Sequence, residues 1–327
     1  MKAFGTHWDR RLLLLVAALA LTIAAMIGFH LIRNQHVANA IAVVDITGSM
    51  NTRDMGNPVG SETRFEAVRT ALVRLIQNLP CQSRIGLGLF TERISFLLFN
   101  PVEVCSNYDA LEGAFSDIDW RMAWQADSYV AKGLYSAIDI ASSIKSDLIF
   151  LTDGHEAPPL PYTGTPPFSG KPGDVQGLIV GVGGQGKSPI PKYDEDGRQI
   201  GVYGPSDVPQ DNRIGQAPPG ADKREGYNPR NAPFGAMPEG GDEHLSSVKT
   251  VHLKDLAQIT GLTYVELQKT PGLAKPLLAS TSIRTIAIST NMGYVPASIA
   301  LIFMVVLYGL SLANDPRRPL SGSPKRN

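Results

Sequence analysis

The stretch that decides the fold is AIAVVDITGSM, residues Ala40–Met50. Its first half is apolar without polar alternation, which is typical of a strand in a parallel sheet that helices cover on both faces. Its second half places a carboxylate at Asp45 and hydroxyls at Thr47 and Ser49. Open α/β sheets bind ligands where their strands end, so these three side chains predict a binding site at the end of this strand.

Two further segments carry oxygen-bearing side chains at comparable positions. Leu151–Gly154 ends another buried strand with Asp153, and Ser128, placed by its spacing to Gly133, opens a loop before a helix. Carboxylate and hydroxyl oxygens are hard ligands that suit Mg²⁺, Ca²⁺ or Mn²⁺. The alternative interpretation is that these residues only form turns and helix caps. In a metal site, we expect Ser49 and Asp153 to face water and the ion and to contribute little to the core.

Strands and helices alternate through the middle of the chain. This order predicts an α/β fold with a mainly parallel sheet and helices on both faces. The second and third strands are joined by a short turn, so they form a hairpin and supply one antiparallel edge strand. The predicted strands are Ala40–Asp45, Arg84–Phe90, Ile94–Phe99, Asp147–Thr152, Gly177–Val182 and Thr263–Leu267, and the predicted helices are Glu62–Asn78, Tyr108–Ser116, Val130–Ile144 and Lys254–Thr260.

The two cysteines, Cys81 and Cys105, are equidistant from Arg93, which lies in the turn of the predicted hairpin. Positions equidistant from the turn face each other in an antiparallel pair. The spacing therefore predicts a disulfide at the base of the hairpin, of the kind that persists in oxidising compartments. The alternative is two unpaired buried thiols.

Two long apolar runs, from Leu12 to Ile32 and from Tyr294 to Leu312, predict membrane-spanning helices over residues 12–32 and 293–312. Basic residues outside both runs predict that residues 1–11 and 313–327 are cytoplasmic. The protein is then a two-pass inner-membrane protein with residues 33–292 in the periplasm. Ala38–Ala40 resembles a cleavage site, so a secretory signal is the alternative interpretation of the first run.

Residues 184–248 are rich in Gly, Pro and charge and predict a long surface insertion, within which Ile190–Tyr203 forms a hairpin turning at Asp196–Gly197. The preceding run Gly181–Ser188 matches a Walker A pattern. A phosphate loop needs a helix that begins at its Lys, and the prolines at 189 and 191 disfavour one. The 30 basic and 30 acidic residues balance, and no basic tract indicates a nucleic-acid partner.

The strand-end residues together resemble the von Willebrand factor A (VWA) family, whose metal-ion-dependent adhesion site reads Asp-x-Ser-x-Ser, then a distant Thr and a distant Asp. The resemblance implies a Rossmann-like fold and one divalent cation bound by Asp45, Thr47, Ser49, Ser128 and Asp153. Thr47 replaces the first Ser of the pattern, and Ser128 replaces the Thr. One coordination position is then left for a carboxylate of a protein partner.

The arrangement of the chain is similar to bacterial membrane-anchored VWA proteins, and most to the MxaL type encoded with methanol dehydrogenase. That likeness rests on the terminal apolar runs, the cysteine pair and the insertion. It implies a protein without enzymatic activity that helps a quinoprotein methanol dehydrogenase mature by inserting calcium, with the dehydrogenase or another maturation factor as its partner. The Bat type, which works with MoxR-type ATPases, is the nearest alternative. A nucleotide hydrolase using Gly181–Ser188 is the alternative from another class.

Overall fold

The computed structural model describes residues 10–28, 30–122, 127–160, 164–194, 196–204, 207, 220, 223, 244–282 and 284–313. Within these ranges the strands are β1 (His30–Val37), β2 (Asn39–Asp45), β3 (Arg53–Met55), β4 (Glu62–Thr63), β5 (Arg84–Thr91), β6 (Ile94–Glu103), β7 (Asp147–Thr152), β8 (Gly177–Gly181), β9 (Ser188–Pro189), β10 (Pro191–Tyr193), β11 (Gln199–Val202), β12 (Leu245–Ser246), β13 (Thr263–Glu266) and β14 (Arg284–Asn291). The α-helices are α1 (Arg10–Ile27), α2 (Arg64–Asn78), α3 (Tyr108–Ser116), α4 (Val130–Ser143), α5 (Thr250–Thr260), α6 (Ala274–Ser280) and α7 (Tyr294–Ala313).

Six strands form the central sheet in the order β13-β8-β7-β2-β5-β6. Neighbouring strands are parallel throughout, except that β6 runs antiparallel to β5 at the edge. The predicted α/β class with a mainly parallel sheet and one antiparallel edge is confirmed. The apolar runs explain the result, because a strand covered on both faces has no polar face to expose.

Two layers of helices cover the sheet. The side chains of Ala42 and Val44 pack with α2, α3 and α6 on one face, whereas Ile41 and Val43 pack with α4 and α5 on the other. Successive residues of β2 therefore contribute to opposite cores, as the period of two in a strand requires. The capping box at Thr63 and Glu66 fixes the start of α2, since each side chain bonds the other's main-chain amide.

The predicted disulfide is confirmed. Cys81 and Cys105 are bonded, with their Cα atoms 5.3 Å apart. They lie just outside the base of the β5–β6 hairpin, where Arg84 is opposite Glu103. The symmetry about the turn was therefore a valid guide, although the hairpin contains register shifts that the sequence does not reveal.

The described residues fall into two compact units, one of residues 36–284 and one made by the two terminal segments up to residue 35 and from residue 285. In the terminal unit, α1 contacts α7 and β1 pairs with β14. Neither β1 nor β14 was predicted.

No helix in the described ranges is long and apolar enough to cross a membrane. The predicted localisation, a two-pass inner-membrane protein with its main domain in the periplasm, is therefore wrong, and the spans predicted over 12–32 and 293–312, with residues 33–292 between them, are unconfirmed. The first apolar run stops being helical at Ile27, because the chain from His30 onwards is the extended strand β1. Most of the two predicted cytoplasmic ends, residues 1–9 and 314–327, lies outside the described residues.

The insertion that was predicted over residues 184–248 begins and ends with paired strands. β9 pairs with β12, so that Pro189 is opposite Leu245. The predicted hairpin is confirmed, because β10 pairs with β11 and the Gly197 amide donates a 3.0 Å hydrogen bond to the Asp194 carbonyl in the turn. Most of the insertion between residues 205 and 243 lies outside the described residues.

Candidate metal site

The two predicted carboxylates lie at the same edge of the sheet. Asp45 is the last residue of β2, and Asp153 directly follows β7. These strands are parallel neighbours in which Val44 is opposite Leu151. The carboxyl ends of both strands therefore bring Asp45 and Asp153 together, at the position where open α/β sheets bind ligands.

Hydroxyl groups surround the carboxylate of Asp45. Its Oδ1 atom accepts hydrogen bonds from the main-chain amide of Thr47 at 2.9 Å and from the Thr47 hydroxyl at 2.7 Å. Its Oδ2 atom accepts one from the Thr152 hydroxyl at 2.6 Å. The Thr47 and Ser49 hydroxyl oxygens are 3.4 Å apart. The loop after β2, which continues as a 3₁₀ helix over Gly48–Asn51, therefore directs both predicted hydroxyls towards one point.

The carboxylate of Asp153 is paired with a cation from α2. Arg64, whose side chain is completely buried, donates from Nη1 to Asp153 Oδ2 and from Nη2 to Asp54 Oδ2 at 2.6 Å. The Ser246 hydroxyl donates to the same Asp153 oxygen at 3.0 Å, and the His155 amide donates to the other at 2.9 Å. Both oxygens of Asp153 are therefore held in place.

The two carboxyl groups differ in charge because of these surroundings. Burial and the charge of Asp153 raise the pKa of Asp45 to about 7, against the lowering effect of its hydrogen bonds from Thr152 and Thr47. Burial also raises the pKa of Asp153, but the charge of Arg64, together with His155 and the hydrogen bond from Ser49, outweighs it, and the net effect is a lowered pKa. Asp153 is thus the more readily ionised member of the pair.

Ser128 lies in the loop before α4, where main-chain bridges join it to the segments that follow β5 and β7. Its amide donates to the Ala157 carbonyl at 2.6 Å, and it also forms a bridge with Glu92 just after β5. Glu156 fixes the next helix by accepting hydrogen bonds from the amides of Val130 and Ala131 at 3.0 and 2.9 Å. The Ser128 hydroxyl is buried and has no hydrogen-bond partner among the described residues.

The five predicted residues fit a hard divalent cation by their chemistry. Each offers a carboxylate or hydroxyl oxygen, and the unpartnered hydroxyl of Ser128 is a buried polar atom of the kind that a ligand satisfies. Within the described residues, the group of His, Cys, Asp or Glu ligand atoms close enough to share an ion is Cys81, Glu103 and Cys105, whose sulfurs are joined in the disulfide. Hydroxyl oxygens are therefore essential to any site at Asp45 and Asp153.

The expectation that Ser49 and Asp153 face water is wrong. Ser49 is 5% exposed and Asp153 is 0% exposed. The sequence pattern placed them correctly at strand ends, but it could not show that Arg64 and Ser246 close over Asp153 from segments distant in the chain. Asp153 therefore contributes to the stability of the fold as well as to the site.

Four residues of this site were not predicted: Thr152, Arg64, Ser246 and Glu156. A signal existed for Arg64, since this cation directly precedes Phe65 and the apolar face of α2 that also contains Val68. No comparable signal marks Ser246, because its contact with Asp153 spans 93 positions.

The Walker-like run does not form a phosphate loop. Gly181 ends β8, and Ser188 begins the short strand β9, so no helix begins at Lys187. Gly183 has a φ of +123°, and a Cβ atom added to it would lie 2.6 Å from Nε of Arg64. Glycine is required there because the chain passes against the buried guanidinium.

The fold and the site define an α/β domain with an oxygen-lined site at the carboxyl edge of its sheet. Residues 40–155 match the model of the von Willebrand factor type A domain, and the chain carries a domain of that family. The predicted VWA domain is confirmed over these residues, whereas the resemblance to the MxaL type stays a prediction. Among curated proteins, none matches the chain by sequence.

The solved structures that match this chain share little sequence with it. One is an aerotolerance-related membrane protein from Bacteroides fragilis, at 12% identity and a TM-score of 0.41, covering 83% of this chain and 99% of that one. Another is the PilB minor pilin from Streptococcus sanguinis, at 12% identity and a TM-score of 0.33, covering 86% of this chain and 64% of that one. A third is the pilus adhesin SpaC from Lactobacillus rhamnosus GG, at 16% identity and a TM-score of 0.29, covering 72% of this chain and 28% of that one.

Proposed function

We propose that this protein is a binding and assembly factor, not an enzyme, and that its VWA domain binds a divalent cation through Asp45, Thr47, Ser49, Ser128 and Asp153. Mg²⁺ and Ca²⁺ are the first candidates and Mn²⁺ the third, because all five ligand groups are hard oxygens. The observation that carries the proposal is the buried hydroxyl of Ser128, which lacks a hydrogen-bond partner among the described residues.

A bound divalent cation supplies a positive centre that can hold a carboxylate of another protein. The residues of this chain prepare the site for it. Thr47 and Thr152 orient the carboxylate of Asp45, and Arg64 keeps Asp153 ionised. Exclusion of water from the site strengthens each of these electrostatic interactions.

The first experiment measures binding of Mg²⁺, Ca²⁺ and Mn²⁺ to the metal-stripped full chain by calorimetry. We expect saturable binding to the wild type and binding at least about tenfold weaker for Ser49→Ala, since hard cations depend on ligand number. Ser143→Ala is the matched control, because that hydroxyl is exposed on α4 and bonds only the Ile140 carbonyl. A wild type that binds none of the three ions overturns the proposal.

Ser49 is a better test position than Asp153. Removing the Asp153 carboxylate leaves the buried Arg64 with one of its two carboxylate partners missing. Loss of one partner of a buried ion pair costs about 3–5 kcal/mol of stability, which would confuse a loss of metal with a loss of fold. Ser49→Ala leaves Arg64 paired.

For the protein client we propose methanol dehydrogenase, on the strength of the resemblance to the MxaL type, with calcium insertion as the purpose of the contact. The test immobilises the full chain and adds calcium-free methanol dehydrogenase with Ca²⁺ or with a chelator. We expect binding in Ca²⁺ only, and none to Ser49→Ala. Equal binding in chelator contradicts a metal bridge. A parallel experiment adds a MoxR-type ATPase in place of the dehydrogenase. Binding of the ATPase without binding of the dehydrogenase would favour the Bat type.

The absence of enzymatic activity is also a proposal, supported by the extended chain at Lys187. Without a helix N-terminus there, the amides of Gly181–Ser188 cannot surround a phosphate in the manner of a phosphate loop. We expect the full chain neither to bind nor to hydrolyse ATP in the presence of Mg²⁺. Saturable ATP binding that Lys187→Ala abolishes would restore the nucleotide hydrolase as the better explanation.

A further inference from the structure

Both ends of the insertion contact the candidate metal site through a chain of hydrogen bonds. At the far end, Ser246 of β12 donates to Asp153 Oδ2 at 3.0 Å. At the near end, the Gly184 amide donates to Asp54 Oδ2 at 2.9 Å. Arg64 joins the two carboxylates, so the metal-site residue Asp153 is linked to both ends.

Main-chain hydrogen bonds also connect the two ends of the insertion to each other and to Asp153. β9 and β12 pair, with Ser188 opposite Ser246. The Val248 amide donates to the Gly184 carbonyl at 2.9 Å, and the Lys249 amide donates to the Asp153 carbonyl at 2.8 Å. The two ends of the insertion therefore hold each other and Asp153 as one unit.

Ser246 occupies a particular place in this unit. Its hydroxyl oxygen accepts a 2.6 Å hydrogen bond from Nη1 of Arg64, and its hydroxyl hydrogen is donated in a hydrogen bond to Asp153 Oδ2. Its side chain is fully buried. A hydroxyl between a cation and a carboxylate fixes the rotamer of both, which is the way outer groups orient the ligands of metal sites.

We propose that Ser246 and Arg64 are positioning residues of the metal site, and that the cation affinity of Asp153 depends on the folded ends of the insertion. This inference rests on the proposed function, since it concerns the same cation. The effect is reciprocal. A cation at the site stabilises the β9–β12 pair. A partner that binds by pulling β12 away lowers the affinity for the cation, and the cation lowers the affinity for that partner by the same factor.

The test measures Mn²⁺ affinity of the metal-stripped full chain in four forms: wild type, Ser246→Ala, Ser246→Thr and Ser188→Ala. Loss of an outer-shell hydrogen bond typically weakens metal binding about 10–100-fold, and we expect that loss for Ser246→Ala. Ser246→Thr keeps the hydroxyl and should restore binding to near the wild-type value. Ser188→Ala removes the serine opposite Ser246 in the same strand pair and should leave the affinity unchanged.

The outcomes separate this inference from the proposed function. A wild type that binds no divalent cation overturns both. A wild type and Ser246→Ala with equal affinity overturn the role of Ser246 and leave the proposed function standing. Equal weakening in Ser246→Ala and Ser188→Ala shows that the strand pair as a whole matters, and it overturns the positioning role of the Ser246 hydroxyl.

Hydrogen exchange of the wild type gives a second measurement that needs no variant. The amides of Val248 and Lys249 lie in the hydrogen-bonded unit. Saturating Mg²⁺ should slow their exchange at least about threefold, while the amides of α3 on the other side of the sheet keep their rate. Unchanged exchange at Val248 and Lys249 in a protein that binds Mg²⁺ overturns the coupling, even if Ser246→Ala cannot be obtained folded.

Discussion

The hydroxyl of Thr152 donates a 2.6 Å hydrogen bond to Oδ2 of Asp45, although 107 positions of sequence separate the two residues. The bond connects the ends of β7 and β2. It places a donor on the one oxygen of Asp45 that Thr47 does not reach. The geometry of the candidate site is therefore set by the sheet as well as by the loop that carries the other hydroxyls.

Thr152→Val should lower the free energy of unfolding by about 1–3 kcal/mol, because it leaves a buried carboxyl oxygen without its donor. Urea denaturation followed by circular dichroism measures the change. Thr260→Val is the matched control. The buried Thr260 hydroxyl bonds the Leu256 carbonyl within α5, which retains its helical hydrogen bond. Equal effects of the two substitutions would contradict the importance of the Thr152 bond.

Replacing Cys81 and Cys105 together with Ser should cost on the order of 3 kcal/mol, because the bond closes a loop of about 25 residues in the unfolded chain. The free energy of unfolding of the double variant should equal that of the wild type measured in reductant. Reductant should have no further effect on the variant. Thiol labelling of the unfolded, unreduced wild type checks the bond directly, and modification of both cysteines would refute it.

Protonation of Glu103 should account for part of the stability that the protein loses at low pH. Burial raises its pKa, but hydrogen bonds from Ser106 and from the Gln82 amide outweigh it and lower the pKa from 4.5 to about 2. A lowered pKa in the folded state contributes stability that is full above pH 4.5 and is lost as the pH falls towards 2. Glu103→Gln should therefore flatten the stability profile between pH 4.5 and 2.

Ser106→Ala is the control for that titration, since it keeps the charge of Glu103 and removes one donor. It should shift the acid-induced loss of stability to a higher pH rather than abolish it. Identical profiles for wild type and Glu103→Gln in this range would contradict the assignment.

Gly133→Ala should destabilise the domain by roughly 1–3 kcal/mol, because a Cβ atom there would lie 2.1 Å from the ring of Phe90. The helix α4 must then move away from β5. Gly113→Ala offers the opposite case, since nothing lies within 4 Å of the added atom in α3. It should stabilise the domain by about 0.5–1 kcal/mol through helix propensity. Thermal unfolding of both variants checks the pair.

The elements that could be predicted were those whose sequence repeats a local pattern. The apolar run before Asp45 and the periodic face of Glu62–Asn78 determined a strand and a helix without any distant contact. Asp45, Thr47 and Ser49 were predicted as ligands because three oxygen-bearing side chains lie close together in one stretch of sequence. Ser246 could not be found this way, since its role depends on which strands the insertion joins.

The membrane prediction was wrong for a related reason. An apolar run in the sequence shows only which residue types are present. The residue at which a helix ends also depends on the partners with which the next residues pair. His30–Val37 forms β1 with β14, so the extended chain replaces the last part of the predicted first span. Pairing partners more than 200 residues apart leave no mark in a local window.

The pairing of Pro189 with Leu245 has a consequence for how the chain tolerates change in length. The segment that joins the two strands therefore starts and ends at one place on the domain. Lengthening such a connection costs only slowly increasing entropy, about 0.6 kcal/mol for each doubling. We expect a change of length within that segment to leave the central sheet unchanged, provided that Ser246 and Gly184 keep their hydrogen bonds to Asp153 and Asp54.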